Sequence, residues 1–158
     1  MKTGLTVLAD NTHKLAEGLA LLANLRVMVG IPEGKDRKEE DSISNASLLY
    51  IHENGAPEVG IPARPTLRPG ILNAQVEINR RLKMAGAAAL AGKPASVRAQ
   101  FNAAGQVGAS AVKAMINSNV GPPLSPRTLA GRKRRGVKRT NTLVDTGQMR
   151  NAVTYVVR

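Results

Sequence analysis

A chain of 158 residues with 42% hydrophobic content is long enough for one domain with a modest core, taken here as residues 1–158, and too apolar to be globally disordered. It has no cysteine, which excludes disulfides, cysteine-based zinc sites and thiol nucleophiles and fits assembly in a reducing cytoplasm. The formal net charge of +12 calls for an acidic partner, whether nucleic acid, an anionic membrane surface or an acidic protein.

The charge is local. From Val120 to Arg158 nine Lys and Arg residues face the single acid Asp145, so this stretch carries +8 of the +12. Aromatic residues are only 2% of the chain (Tyr50, Phe101 and Tyr155), so the core must be built from Leu, Ile, Val, Met and Ala packed through small residues. After Met1-Lys2-Thr3 the apolar run is too short, and too soon interrupted by Asp10, for a signal peptide. The most apolar stretch, Leu19 to Ile31, is broken by Asn24 and Arg26 and is too short to span a bilayer, which predicts a soluble chain without a membrane partner.

In chain order, Asn11 or Thr12 can cap a first helix with Leu15, Leu19 and Leu22 on one face. Leu25 to Ile31 alternates, with Val27, Val29 and Ile31 on one side, and predicts a strand stopped at Pro32. Gly34 to Ser42 is a mixed-charge run without periodicity, expected to be a surface loop. Ser44 or Asn45 can start a short helix that Gly55 stops. Pro57, Pro62, Pro65 and Pro69 then crowd one segment, which predicts a rigid extended arm that is neither helix nor central strand.

Two longer helices follow. Ile71, Ile78, Leu82, Ala85 and Ala89 share a face of the first, which ends near Gly92. Pro94 suits the opening turn of the second, along which Val97, Phe101, Ala104, Gly108, Ala111 and Met115 recur at helical spacing. Gly86, Gly105 and Gly108 each cost about 1 kcal/mol of helix propensity against Ala, which predicts close approach of two backbones in a helical hairpin.

Beyond a second proline cluster, Ser125 caps a short helix that opens at Pro126. The basic run from Gly131 to Arg139 is expected to loop. In Asp145-Thr146-Gly147-Gln148 the Asp can cap while Gln148 reaches back. Val153 to Arg158 alternates as a strand, with Val153, Tyr155 and Val157 on one face. Together these elements predict an α+β fold: an antiparallel sheet that includes Leu25–Ile31 and Val153–Arg158, packed by helices, with a proline-rich extended arm and a basic loop.

The residues of catalysis are sparse. Gly30 to Asp36 superficially suggests a phosphate loop, but it has three residues between its glycines where four are needed, and Asp36 where a metal-binding hydroxyl belongs. His13 and His52 are the only histidines, and His52-Glu53 lacks the second histidine of a zinc-binding helix, so a structural or solvated His52 is favoured over a ligand. No serine sits in a G-x-S-x-G elbow, and of the 11 acids four cluster in the 36–41 stretch. The expectation is a non-enzymatic protein without cofactor or metal. For the basic run, with Arg127, Arg132, Lys133, Arg134, Arg135, Lys138 and Arg139, three fates stay open: a solvated loop ordered on assembly, contact with an acidic protein neighbour, and contact with a DNA backbone. It has no aromatic residue for base stacking.

The segment LYIHENGAPEVGIPARPTLRPGI, from Leu49 to Ile71, resembles the signature of the minor tail or neck proteins of tailed bacteriophages, a grouping that includes tail-completion and virion-morphogenesis proteins. Members carry a helix ending in E-x-G and then an I-P-A-R-P-F-L-like arm leading into a helix. Glu53 and Gly55 match the first part, and Ile61, Pro62, Ala63, Arg64, Pro65 and Leu67 the second, with Thr66 where an aromatic is usual. PPLSPRTL (Pro122 to Leu129) and LVDTGQMRNAVTYVV (Leu143 to Val157) are similar to the ending of the same grouping. The resemblance implies a structural virion protein at the head–tail junction, assembled in the bacterial cytoplasm. It would form a ring with copies of itself, hexameric in the favoured form and dodecameric in the nearest variant, and join the tail to the DNA-filled head as a neck, tail-completion or tail-terminator subunit. Its partners would be the neighbouring neck or connector and tail-tube proteins, with non-specific contact to packaged DNA. The arm Ile61, Pro62, Ala63, Arg64, Pro65, Thr66, Leu67, Arg68 and Pro69 is then either a stiff loop packed on its own domain or an arm that reaches a neighbouring subunit. The rival from another class is a small basic DNA-binding or packaging-associated protein.

Overall fold

In the computed structural model, residues 10–32 and 43–158 are described. The expectations for Met1–Thr3, for Gly34–Ser42 and for residues 33–36 of the phosphate-loop-like stretch lie outside them. The fold is α+β, an antiparallel sheet covered by helices.

Helix α1 (Thr12–Asn24) leads into strand β1 (Val27–Gly30). The start of α1 is held by Asp10, whose Oδ1 accepts from the Thr12 amide at 2.9 Å, and Asn11 makes no side-chain cap. At the other end of the chain, strand β2 (Thr154–Val157) pairs antiparallel with β1 in the register Val27↔Val157, Met28↔Val156, Val29↔Tyr155 and Gly30↔Thr154. A side-chain period of two therefore puts Val27, Val29, Tyr155 and Val157 on one face and Met28 and Val156 on the other.

The covered face lies on helix α5 (Pro94–Asn117), which is antiparallel to helix α4 (Gln75–Leu90) in a hairpin. Pro94 opens α5, where its missing N–H has no helical partner to lose. Before α4 comes a separate short helix α3 (Leu67–Asn73), so the single helix expected from Ile71 onward is broken at Ala74. The Ala74 amide bonds back to the carbonyls of Gly70 and Ile71, a tightened last turn that no proline or glycine at that position announces.

Two apolar clusters share α5. One gathers Val112 and Ile116 with Leu49, Leu143, Val144, Met149 and Val153; the other joins Val97 and Phe101 to Ala85 and Ala89, with Leu21, Leu22 and Leu25 packed against it. The stripe along α5 runs through Val112 and Ile116, while the expected Ala111 and Met115 are only half-buried beside it. On α1 the expected Leu19 is exposed and Gly18 is the buried position.

The glycines correct the hairpin expectation. Gly86 faces open space. A side chain at Gly105 would collide with the ring of Tyr155, and one at Gly108 would lie 3.0 Å from Val29 Cγ2, so both make room for side chains of the sheet. Backbone-to-backbone approach occurs elsewhere: a Cβ at Gly18 would sit 3.1 Å from Ala89 Cα, and one at Gly70 would sit 2.9 Å from Val112 Cα. Among the described residues no helix is long and apolar enough to cross a membrane.

Candidate functional site

Helix α2 (Asn45–Asn54), the proline-rich segment and the stretch around Pro122 lie against one another. Helix α2 is capped by Ser44, whose Oγ accepts the Ser47 amide at 2.9 Å, and it ends at Gly55 with φ +78°. Gly55 is required twice: by its left-handed φ, and because a Cβ there would lie 2.9 Å from the Ala63 nitrogen. The chain then makes a 3-10 turn (Pro57–Val59), and an Ala56↔Ile61 bridge closes the loop on itself.

The proline-rich segment is therefore not an extended arm throughout. Its middle, from Pro62 to Pro65, is neither helix nor strand, but α3 begins at Leu67 and contains Pro69 in its first turn, where the absent amide breaks no helical bond. Glu53 sets where α3 starts. Its Oε2 accepts the amides of Thr66 at 2.6 Å and Leu67 at 2.9 Å, and its Oε1 accepts that of Arg68 at 3.1 Å. A carboxylate from α2 thus caps a helix 13 to 15 residues ahead, where its charge also favours the helix N-terminus.

Arg64 points inward and is only 6% exposed. Its amide donates to the His52 carbonyl at 2.6 Å, and its guanidinium donates from Nε to the Pro122 carbonyl at 2.9 Å and from Nη2 to that of Pro123 at 3.4 Å. The two prolines occupy a turn reached by a cis Gly121–Pro122 bond. Arg64 thereby ties the first resembling segment to the second across 58 residues. Thr66 is fully buried, and its hydroxyl has no hydrogen-bond partner.

The basic run expected to loop from Gly131 to Arg139 is helical as far as Arg134 and turns and loops from Arg135 to Arg139. Helix α6 (Pro126–Arg134) is capped by the Ser125 hydroxyl, which accepts the Thr128 amide at 3.2 Å. Its C-terminus closes by Gly136 N–H to Lys133 O and Val137 N–H to Arg132 O, both 3.0 Å, with Gly136 at φ +74°. Arg132 is 5% exposed and turns into the protein. It donates from Nη1 to the carbonyls of Asn141 (2.6 Å) and Arg139 (3.2 Å) and from Nη2 to that of Thr142 (3.4 Å). Asn119 and Val120 bind Thr142 from the other side, through its amide at 2.9 Å and its hydroxyl at 2.8 Å.

Asp145 accepts from Arg135 Nη2 at 2.7 Å, while its Oδ1 lies 3.8 Å from Arg132 Nε, too long for a hydrogen bond. The expected capping box does not form: Gly147, at φ +87°, is the N-cap of helix α7 (Gln148–Ala152), and the Gln148 amide bonds to the Thr146 hydroxyl at 3.3 Å. Asp145 serves α6 instead.

Between these elements lies a cleft of about 610 Å³ lined by His52, Arg64, Arg132 and Asp145 together with apolar Leu48 and Met149. Burial, and then the charge of Arg64, hold the His52 imidazole below its ordinary value of 6.5, and its Nδ1 is buried without a partner. Arg64 and Arg132 are engaged with backbone carbonyls, and the Asp145 carboxylate is turned to Arg135. Among the described residues no group of three or more His, Asp or Glu is placed to hold a metal ion.

The predicted site residues thus divide. Arg64, Thr66 and Arg132 are internal, whereas Pro62, Ala63, Pro65 and Arg68 on the proline-rich segment are exposed, as are Arg127, Lys133, Arg134, Arg135, Lys138 and Arg139. Reasoning from the sequence missed the capping role of Glu53 and the clamp of Asn119 on Thr142. The E-x-G spacing before the prolines marks the first; no sequence signal marks the second. No protein-family model matches the chain, and comparison with curated proteins and with solved structures gives no match either.

Proposed function

We propose that the chain is a structural subunit of a tailed-bacteriophage virion that assembles into a ring at the head–tail junction, as a neck, tail-completion or tail-terminator protein. The observation that carries this reading is the use made of the motif residues. Glu53 caps α3, Gly55 admits the Ala63 backbone, Arg64 joins the Leu49–Ile71 segment to Pro122, and Arg132 holds the loop that leads to Leu143. Each acts on the protein's own backbone, which is what an assembly scaffold needs from its signature residues. What these bonds leave outward is a stiff rim at Pro62, Ala63 and Pro65, which would lose little entropy on docking to a second copy. A hexamer is the favoured ring and a dodecamer its variant. Neighbouring neck, connector and tail-tube proteins are its further partners, and its location is the virion after assembly in the host cytoplasm.

The test is to replace Pro62 and Pro65 by glycine. Both are exposed, so the substitutions should restore conformational freedom to the rim while leaving the internal bonds in place. Ring formation, followed by analytical ultracentrifugation, should weaken with little change in thermal midpoint. An equal loss of both would make the segment a purely internal element and remove the rim from the interface.

A further inference from the structure

The Gly136 turn that ends α6 brings the following residues back along the helix. Lys138, Arg139 and Thr140 then face Leu129, Lys133 and Val137 across a depression of about 370 Å³. Leu129 is 37% exposed and Val137 half-buried, so the floor is aliphatic and open to solvent. Among the described residues no carboxylate lies within ion-pair distance of Lys133, Arg134, Lys138 or Arg139, in contrast to Arg135 beside Asp145. The geometry is also fixed from inside, because Arg132 holds the carbonyls of Arg139 and Asn141.

We propose that this depression docks an acidic protein segment carrying one bulky apolar side chain, with the side chain on the Leu129–Val137 floor and the carboxylates on Lys133, Lys138 and Arg139. The two halves of the surface ask for different chemistry in one ligand. Unpaired cations around the rim select a polyanion. An aliphatic floor gains nothing from a phosphodiester backbone, which presents only charged oxygens to a cationic patch, whereas burying an apolar side chain there removes both surfaces from water. The volume accommodates one large side chain, and the prior fixing of the rim reduces the ordering that binding requires. The site does not depend on the ring reading, since it is complete within one chain.

The probe is a short fluorescent peptide of alternating Glu and Asp with a single central Phe, compared with the same peptide carrying Ser in place of Phe and with a duplex DNA of arbitrary sequence. Anisotropy titrations on the full chain at about 50 and 200 mM salt span the range in which phosphate-only binding collapses. The Phe peptide should bind roughly tenfold more tightly than the Ser peptide, the margin expected for burying one aromatic side chain. Leu129→Ser should remove that margin without shifting the thermal midpoint, and Lys133→Glu with Lys138→Glu should abolish binding of both peptides. The inference is overturned if the Phe and Ser peptides bind alike, if Leu129→Ser changes nothing, if no peptide binds, or if the duplex binds more tightly than the Phe peptide at both salt concentrations.

Discussion

Along the α4–α5 hairpin the buried positions are all apolar, among them Ala85, Ala89, Val97, Phe101, Val112 and Ile116, and the helices' own hydrogen bonds satisfy the backbone. Around residues 53–68 and 119–145 the buried positions include Arg64, Thr66, Arg132 and Thr142, and carbonyls with no helical or strand partner are answered by guanidinium groups. The hairpin is non-directional apolar packing; the proline-rich end is held by charge-assisted bonds to backbone. An irregular segment can be buried only when its backbone finds partners outside itself. Proline removes donors and prevents regular pairing, so its neighbours' carbonyls need donors from afar, and arginine, with five N–H groups in a planar fork, supplies several at once.

The sheet gives the sharpest way to break this division. Val29 faces α5 at Gly108, so Val29→Asp should put an unpaired carboxylate against the apolar layer and cost about 4 kcal/mol or prevent folding. Val156 lies on the opposite face, paired with exposed Met28, and Val156→Asp should cost no more than about 1 kcal/mol. Urea denaturation checks both, and equal losses would mean that the outer face is covered as well. From the sequence alone the two substitutions look equivalent.

Next in size is the arginine clamp. Arg132→Met keeps much of the aliphatic volume but leaves the carbonyls of Asn141 and Thr142 without their donor, which should cost about 3 kcal/mol in the same assay. A loss below about 0.5 kcal/mol would show that water replaces the guanidinium and that the polar half is not held as described.

Smaller again is Glu53→Gln. It retains an acceptor but removes the charge from three amides at the start of α3, and should lower stability by about 1.5 kcal/mol. Amide exchange at Leu67 and Arg68 should quicken by more than that at residues in α5.

The smallest effect is a pH dependence. His52 has a folded-state value below 6.5, so the unfolded chain takes up the proton first and folding stability must fall as pH drops through 6.5 toward the folded value. Thermal midpoints between pH 7.5 and 5 should show this slope, and His52→Leu should flatten it. A slope unchanged by that substitution would assign the titration to other groups.

Much of the apolar half was legible in the sequence because its rule is periodicity. Alternation located β1 and β2, and Ser44, Gly55, Pro94 and Ser125 placed helix ends close to where they stand. The α5 stripe was shifted onto Ala111 and Met115 because Gly105, Ala109, Val112 and Ile116 form an equally periodic row, and only the position of the sheet chooses between them. The polar half was far less legible. That Arg132 is internal while Lys133, Arg134 and Arg135 are exposed depends on where the 139–142 carbonyls lie, and no local pattern encodes a bond from Arg64 to a carbonyl 58 residues away. The start of α6 was legible in Ser125 and Pro126, but its continuation through Arg134 was hidden for a related reason: six cations from Arg127 to Arg135 and Lys138 suggest mutual repulsion, yet the Ser125 cap, Pro126 and the Gly136 closure outweigh it.

The measurement that bears most directly on the proposed role is the native mass of the purified full-length chain at rising concentration, with negative-stain images of the largest species. A closed ring at a fixed multiple of the 16.7 kDa subunit, six copies in the favoured form, is the predicted result. A monomer at every concentration, or an open-ended series of sizes without closure, would contradict it.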